Sequence, residues 1–183
     1  MKNKIAFVGR SNVGKSSTIR ALTGAALKVG KRPGVTLKSL EIPYGNFKIV
    51  DMPGFGFMQG VSKRRQEEIK DFIVRYLEKH EDILFAVQVT DAKAFAEIAK
   101  RHQARGEIPV EIEMFHFLQE LRLNPILAAN KIDKVAKSER GEKLNEICAL
   151  LGLPTPNNVI VPFSAKTKEG LEDLKKLIRE RIK

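Results

Sequence analysis

The residues with the clearest chemical meaning lie close to the N-terminus and read GRSNVGKS, from Gly9 to Ser16. They follow a short apolar run, Ile5–Val8, and precede a segment compatible with a helix, which is the setting that a G-x-x-x-x-G-K-S phosphate-binding loop requires. The glycines let the backbone turn tightly and bring its N–H groups near an anion, and the helix start adds a positive dipole end. We therefore predict a nucleoside triphosphate site, with Lys15 on the β- and γ-phosphates and the Ser16 hydroxyl on Mg²⁺.

A second motif, DMPG at Asp51–Gly54, closes a strand-like run. In a protein with a phosphate-binding loop, an aspartate at such a strand end is suited to hold the hydration shell of Mg²⁺. The backbone N–H of Gly54 is predicted to meet the γ-phosphate, and the glycine also serves as a hinge. Asp, Pro and Gly are common in turns, so the motif gains its value from lying one hairpin after the phosphate loop.

A third motif, NKID at Asn130–Asp133, follows another apolar strand-like run. The Asp133 carboxylate would accept hydrogen bonds from guanine N1–H and its exocyclic amine, a pair of donors that adenine lacks. Such a site discriminates strongly, because the wrong base leaves buried polar groups unpaired. Asn130 is predicted to tie this loop back to the phosphate loop, and the stem of Lys131 to cover the face of the base.

Two weaker elements complete the pattern. The tripeptide Ser164–Lys166 follows the last predicted strand and offers a backbone N–H to guanine O6. Thr36 lies in a loop, Arg32–Thr36, whose sequence RPGVT is punctuated by proline and glycine. Its hydroxyl is predicted to reach Mg²⁺ and its N–H the γ-phosphate, so that the loop is ordered with GTP and released after hydrolysis.

These five elements occur in the order that guanine-nucleotide switches use, and all but the threonine loop stand at the carboxyl end of a predicted strand, where open α/β sheets bind ligands. The residues predicted to bind the nucleotide are Gly9, Arg10, Ser11, Asn12, Val13, Gly14, Lys15, Ser16, Ser17, Gly34, Val35, Thr36, Asp51, Gly54, Asn130, Lys131, Asp133, Ser164, Ala165 and Lys166. Hydrolysis is assigned to Lys15, Thr36, Gly54 and Asn12, and the metal to Ser16, Thr36 and Asp51.

The elements that must position these residues alternate between apolar strand-like runs and longer helix-like stretches, a pattern typical of a largely parallel sheet covered by helices. Strands are predicted over residues 4–9, 37–43, 47–51, 83–90, 125–129 and 158–163, and helices over 15–23, 63–80, 92–105, 109–122, 137–151 and 170–182. The short connection Tyr44–Asn46 implies that the second and third strands are antiparallel. We thus predict a mostly parallel six-stranded sheet with one antiparallel edge strand, in a single domain over residues 1–183.

Composition predicts an ordinary soluble protein, and we expect it to be cytoplasmic. The chain has 183 residues, of which 43% are hydrophobic and 30% charged, enough for one domain with a real core. No apolar run approaches the ~20 residues that a membrane span needs, and no secretory signal pattern is visible. The single cysteine, Cys148, excludes a disulfide framework and is predicted to pack in a helix. His80, His102 and His116 share no metal-like spacing, and a monomer is expected.

The charge distribution indicates a polyanionic partner. The formal net charge is +11, and the stretch Met1–Leu40 contains no Asp or Glu. It holds nine basic residues: Lys2, Lys4, Arg10, Lys15, Arg20, Lys28, Lys31, Arg32 and Lys38. A triphosphate site accounts for one or two of them, and the rest favour RNA. The alternative is a generally basic protein whose lysines are merely solvated.

The phosphate loop extended through Ser17, the loop Arg32–Thr36 and the segment Asp51–Phe57 together resemble the EngB family of ribosome-biogenesis GTPases, which belongs to the TRAFAC class and has a Ras-like fold. The resemblance covers essentially the whole chain and is loosest over residues 90–123. It implies a Mg²⁺-dependent GTPase that helps assemble the large ribosomal subunit, with rRNA and the subunit as partners.

One position predicts slow hydrolysis. Ras-type GTPases carry a water-orienting glutamine directly after D-x-x-G, where this chain has Phe55, which cannot hydrogen-bond water. In related families an asparagine at the position of Asn12 accompanies a bound K⁺ that acts where an arginine finger would, and we hypothesise the same here. Arg32 is a second candidate for charge neutralisation. At least one of Phe55 and Phe57 is expected to be exposed in some nucleotide state.

The basic triplet Lys63–Arg65 opens a predicted helix, where cations oppose the dipole. It is either a solvated helix face or a nucleotide-dependent rRNA contact.

Three other functions are open on the sequence alone. A GTPase module of a tRNA-modification enzyme or a metal transporter would come with extra domains or membrane spans, and the sequence predicts neither. A P-loop ATPase or small-molecule kinase is disfavoured by Asn130–Asp133. A signalling switch that binds only proteins would leave the basic stretch unused.

Overall fold

A six-stranded sheet forms the centre of the protein in a computed structural model that describes residues 3–25, 38–56, 58–155 and 158–182. The strands are β1 (Lys4–Gly9), β2 (Leu40–Tyr44), β3 (Phe47–Asp51), β4 (Ile83–Asp91), β5 (Ile126–Asn130) and β6 (Ile160–Pro162). They lie in the order β2-β3-β1-β4-β5-β6. Only the β2–β3 pair is antiparallel among these neighbours. The predicted mixed sheet with one antiparallel edge strand is confirmed.

The helices are α1 (Lys15–Thr23), α2 (Lys63–Lys79), α3 (Phe95–Gln103), α4 (Val110–Glu120), α5 (Arg140–Leu150) and α6 (Leu171–Ile182). Their positions agree with the predictions, and the differences lie at the ends. Helix α3 begins three residues later than predicted, because the Asp91 carboxylate accepts from the N–H groups of Lys93 at 3.1 Å and Ala94 at 3.2 Å and holds a turn there. Short 3₁₀ turns at Ile132–Lys134 and Lys137–Glu139 precede α5.

The core occupies both faces of the sheet, because successive strand residues point to opposite faces. On one face Ile5, Phe7 and Val87 pack with residues of α1 and α6. On the other, Ala6, Val8 and Ala86 pack with residues of α2 and α4. Strands buried on both sides carry nearly continuous apolar sequences, which is why the runs of β1 and β4 are readable directly from the chain.

No helix in residues 3–25, 38–56, 58–155 or 158–182 is both long enough and apolar enough to cross a membrane. Cys148 is buried within α5, as predicted.

An ion-pair cluster fastens the antiparallel edge of the sheet to its centre. Glu41 of β2 accepts from Lys48 of β3 at 2.8 Å and from Lys4 of β1 at 2.9 Å, and Lys4 also contacts Asp82 at 2.9 Å. These bonds, that of Lys48 foremost, lower the pKa of Glu41 to about 2. Bonds to Glu41 and Asp82 raise the pKa of Lys4. The cluster orients β3, whose last residue is Asp51.

We expect Glu41→Gln to lower the free energy of unfolding at neutral pH by about 1 kcal/mol, allowing for solvent screening of these partly exposed charges. Since the folded pKa of about 2 lies below the ordinary value of 4.5, the wild-type advantage is complete above that value and is lost as pH falls towards 2. Urea unfolding at several pH values measures it. Glu172→Gln, which removes an exposed pair within α6, is the control and should change little. A deficit in Glu41→Gln that persists at pH 2 would contradict this account.

Candidate nucleotide-binding site

The phosphate loop connects β1 to α1 and is curled by two residues with left-handed backbone. Asn12 has φ 68° and Gly14 has φ 93°. The carbonyl of Gly14 accepts from the Thr18 N–H at 2.8 Å and from the Thr18 hydroxyl at 2.9 Å, which starts the helix. Val13 lies between them and is buried in the core. A loop that alternates in this way forms a concave nest of backbone N–H groups suited to an anion.

Strand β3 brings Asp51 to the start of α1. It pairs with β1 in parallel, with Asp51 opposite Phe7, so its carboxyl end lies beside the phosphate loop. Asp51 forms an ion pair with the Lys15 ammonium, and its other oxygen lies 3.4 Å from the Ser16 hydroxyl. The predicted cation and both described candidate metal ligands therefore share one small, largely buried volume.

These oxygen donors fit Mg²⁺. A carboxylate and a hydroxyl are hard ligands, and Mg²⁺ usually takes one or two protein ligands together with waters and substrate phosphates. The described residues contain no group of three or more His, Cys, Asp or Glu that could hold a metal ion, so water and phosphate oxygens would have to complete the coordination. Ser16 and Asp51 would hold the ion, which would neutralise phosphate charge. The third predicted ligand, Thr36, lies outside the described residues, as do Arg32, Gly34, Val35 and Phe57.

Asn130, the last residue of β5, links three loops. Its side chain is 2% exposed. Its amide nitrogen donates to the Val13 carbonyl at 2.8 Å, and its oxygen accepts from the Ala165 N–H at 3.0 Å. The predicted tie between the N-K-x-D loop and the phosphate loop is therefore present, and it extends to the loop after β6.

Lys131 adds a second link. It has φ 64°, and its ammonium donates to the Asn12 carbonyl at 2.8 Å and to Asp91 at 2.7 Å. Asp133 follows, half-buried in the 3₁₀ turn Ile132–Lys134. The Lys131 stem thus spans from the N-K-x-D loop to the phosphate loop, and the sequence alone did not identify Asp91 as its partner.

Ser164 shapes the loop after β6. Its buried hydroxyl accepts from the N–H groups of Lys166 at 3.2 Å and Thr167 at 3.1 Å. The sequence predicted that one backbone N–H of Ser164–Lys166 reaches guanine O6. In this structure the Ala165 N–H is bonded to Asn130 and the Lys166 N–H to Ser164.

Phe55 is a core residue. It is 1% exposed and packs with Val8, Met52 and Met58. Its backbone forms a parallel bridge with Arg10 beside the phosphate loop. The ring therefore belongs to the sheet–α2 interface and offers no hydrogen bond to a water.

A buried polar cluster beside the phosphate loop was not found from the sequence. Glu111, at the start of α4, accepts from the Thr90 hydroxyl at 2.5 Å and lies 3.5 Å from the Arg10 guanidinium. The Gln88 side-chain amide donates to the Glu111 carbonyl at 2.8 Å. Burial raises the pKa of Glu111, opposed by Thr90 and Arg10. A signal existed: Gln88 and Thr90 place two polar side chains on one face of an otherwise apolar strand.

The chain resembles known GTP-binding proteins along nearly its whole length. The family model described as 50S ribosome-binding GTPase matches residues 4–131. The probable GTP-binding protein EngB of Methanopyrus kandleri is 54% identical, over 98% of this chain and 92% of the relative. The probable EngB of Pyrococcus horikoshii is 47% identical, over 98% of this chain and 83% of the relative.

Solved structures give the same result. A crystal structure of a probable GTP-binding protein engB has a TM-score of 0.91 with this chain at 47% identity, covering 98% of each. The FeoB G-domain from Methanococcus jannaschii has a TM-score of 0.59 at 28% identity, covering 100% of this chain and 99% of that one. The sheet order and helix placement described above are thus those of Ras-like G domains.

We expect Gly14→Ala to disrupt the link between loops. A Cβ at this position would lie 2.3 Å from the Asn130 amide nitrogen, and the left-handed backbone costs a non-glycine residue about 1–2 kcal/mol. Fluorescent GDP should bind at least about tenfold more weakly. Gly141→Ala is the matched control, because that site has open space around it; it should stabilise α5 by about 0.5 kcal/mol and leave binding unchanged. Unchanged GDP binding by Gly14→Ala would contradict this assignment.

Proposed function

The chain belongs to the EngB family of GTP-binding proteins, and from this premise we propose that it is a nucleotide-dependent switch that engages the large ribosomal subunit during its assembly. It binds GTP at the carboxyl edge of the sheet and hydrolyses it to GDP and phosphate. The two nucleotide states present different surfaces to the subunit.

The observation that carries the nucleotide assignment is the bond from Asn130 to the Val13 carbonyl, at 2.8 Å. It fastens the loop that is suited to read guanine to the loop that is suited to hold phosphates. A ligand that spans both loops must therefore combine a base and a phosphate chain at a set separation. A guanine nucleotide has this form, and Asp133 supplies the acceptor for its N1–H and amine.

Each described residue has a defined part in this proposal. Lys15 neutralises phosphate charge and the phosphate-loop amides fix the phosphate oxygens. Ser16 and Asp51 hold Mg²⁺, and the N–H of Gly54 meets the γ-phosphate. Because Phe55 is buried and cannot orient a water, intrinsic hydrolysis is slow and depends on a further element.

The partner assignment rests on the match of residues 4–131 to the 50S ribosome-binding GTPase model and on the charge of the surface. Part of the positive charge before Glu41 is used in internal ion pairs, since Lys4, Arg10 and Lys15 all contact carboxylates. Arg20 and Lys38 are exposed and remain suited to contact rRNA.

The basic triplet at the start of α2 is also partly engaged. Arg64 and Arg65 both contact Glu68. Lys63 and Arg64 are nevertheless exposed. Ser62 offsets the unfavourable charge at this helix start by accepting from the Arg65 N–H at 3.3 Å. The triplet fits either a solvated helix face or an rRNA contact. Because it does not favour one of these, the proposed RNA contact is centred on Arg20 and Lys38.

We further propose that residues 1–183 form one GTP-binding domain that acts as a monomer in the cytoplasm, where ribosomal subunits are built.

Co-sedimentation with purified ribosomal subunits tests the proposal. We expect binding to the large subunit that is stronger with a non-hydrolysable GTP analogue than with GDP. Lys38→Glu should weaken that binding without affecting the fold, because the residue is exposed. Lys176→Glu, an identical charge change at an exposed position of α6, should leave that binding unchanged. Failure to bind the large subunit in either nucleotide state would overturn the ribosomal assignment and leave the GTPase assignment intact.

We also propose that K⁺ accelerates hydrolysis through Asn12, whose exposed position in the phosphate loop suits it to a cation beside the phosphates. Single-turnover GTP hydrolysis should be faster in KCl than in NaCl, and Asn12→Gly should remove the difference while tolerating the left-handed backbone. Asn124→Gly, at another left-handed asparagine, is the control. Equal wild-type rates in the two salts would refute the proposal.

A further inference from the structure

We propose that Arg10 is a positioning residue: through its ion pair with the buried Glu111 it couples the D-x-x-G segment to helix α4 and so favours binding of GTP over GDP. The inference rests on the proposed nucleotide-dependent switch. It concerns the side chain of Arg10, whereas the nucleotide is expected to contact the backbone of the phosphate loop at this position.

The backbone of Arg10 is already joined to the segment after Gly54. Arg10 and Phe55 form a parallel bridge. The Ser11 N–H donates to the Phe55 carbonyl at 3.1 Å, and the Phe55 N–H donates to the Gly9 carbonyl at 3.3 Å. Residues 9–11 therefore carry Phe55 as a short extension of the sheet, directly beside the glycine predicted to meet the γ-phosphate.

The side chain of Arg10 extends this connection, because it packs against Gly56, the residue after Phe55. Gly56 has φ +79°, and a Cβ there would lie 3.1 Å from the Arg10 Nε. The guanidinium then reaches Glu111 at 3.5 Å. Gly56, Arg10 and Glu111 also line one small cavity of about 50 Å³ between α3 and α4. The Arg10 side chain thus extends from the D-x-x-G segment to the start of α4, beside this cavity.

Glu111 makes this contact selective for a cation. Its side chain is 5% exposed, and a carboxylate so buried is costly unless it is paired. Thr90 of β4 donates to it, and Arg10 is the nearby positive charge. Asp91 of β4 acts against ionisation of Glu111, and His102 of α3 lines the same cavity but pairs with Glu107. Arg10 is therefore held in place by the burial of its partner.

The Arg10–Glu111 pair is expected to affect the binding of GTP more than the binding of GDP. Movement of Phe55 and Gly56 towards the start of α4 would require the Arg10 side chain to shift against the buried Glu111. The pair therefore restricts where Gly54 can lie. GTP has a γ-phosphate for Gly54 to meet and GDP has none, so a ligand-dependent difference in binding free energy arises at this segment.

The test compares nucleotide affinities of Arg10→Met and wild type by titration with fluorescent GDP and a fluorescent non-hydrolysable GTP analogue. We expect the affinity for the GTP analogue to fall about tenfold and that for GDP by less than about twofold, within the usual range of coupling between sites. Lys70→Met is the matched control. It removes a pair between α2 and α4, Lys70–Glu113 at 2.8 Å, that is partly exposed, and should change neither affinity.

A double variant separates positioning from folding. Arg10→Met leaves the buried Glu111 without its cationic partner and should lower the melting temperature, whereas Arg10→Met combined with Glu111→Gln replaces the ionisable group by a neutral amide and should recover much of the loss. The preference for the GTP analogue should stay lost in the double variant, and the deficit should not exceed that of Arg10→Met alone, because both substitutions break one link.

The outcomes are distinct. Recovery of stability without recovery of GTP preference supports the proposal. Equal weakening of both nucleotides by Arg10→Met, or recovery of nucleotide preference together with stability, would mean that Arg10 is only structural and would overturn it. Wild-type protein that binds neither nucleotide would instead overturn the proposed function itself.

Discussion

The hydrogen bond from the Asn130 side chain to the Val13 carbonyl is the contact on which the site depends, because it joins residues 117 positions apart in the chain. Strand β5 ends at Asn130 and strand β1 ends at Gly9, with β4 between them in the sheet. A side chain must bridge that gap if the two loops are to act on one ligand. Its burial means that the bond forms without competition from water. The loop after β6 joins the same residue through Ala165.

The phosphate loop is supported from its other side by charge. Lys15 pairs with Asp51 at the end of β3, and Arg10 pairs with Glu111 at the start of α4. The two pairs differ in surroundings. Lys15 and Asp51 are both suited to exchange partners with a nucleotide and a metal ion, whereas Glu111 is enclosed by the α4 side of the core. Both pairs are largely buried, but only the first lies where a nucleotide and a metal ion are expected. One short loop is thus flanked by a pair suited to ligand exchange and by a pair that gives the neighbouring D-x-x-G segment a defined position.

In the folded protein some of the basic residues near the N-terminus form internal ion pairs, and others face solvent. Nine basic residues before Glu41 suggested a polyanion, but Lys4, Arg10 and Lys15 are used within the fold. Lys4 fastens the edge hairpin through Glu41, which keeps β3 and hence Asp51 in register with β1. Net charge counts these residues equally with Arg20 and Lys38, although only a cation that faces solvent can attract an external partner over a distance.

The sequence by itself determined which segments form strands and helices and most of their boundaries, and it predicted the residues of the candidate site. It could do so because strands buried on both faces leave apolar runs, and because phosphate and guanine binding need particular residues at short, contiguous spacings. Tertiary structure alone decided the partners of those residues: Asp91 for Lys131, Glu111 for Arg10, and the core for Phe55. Each such contact joins elements that are adjacent only after the sheet has formed. The sequence does not specify which residue each of these side chains meets, since an Arg, Lys or Asp side chain would suit a solvent-exposed position equally well.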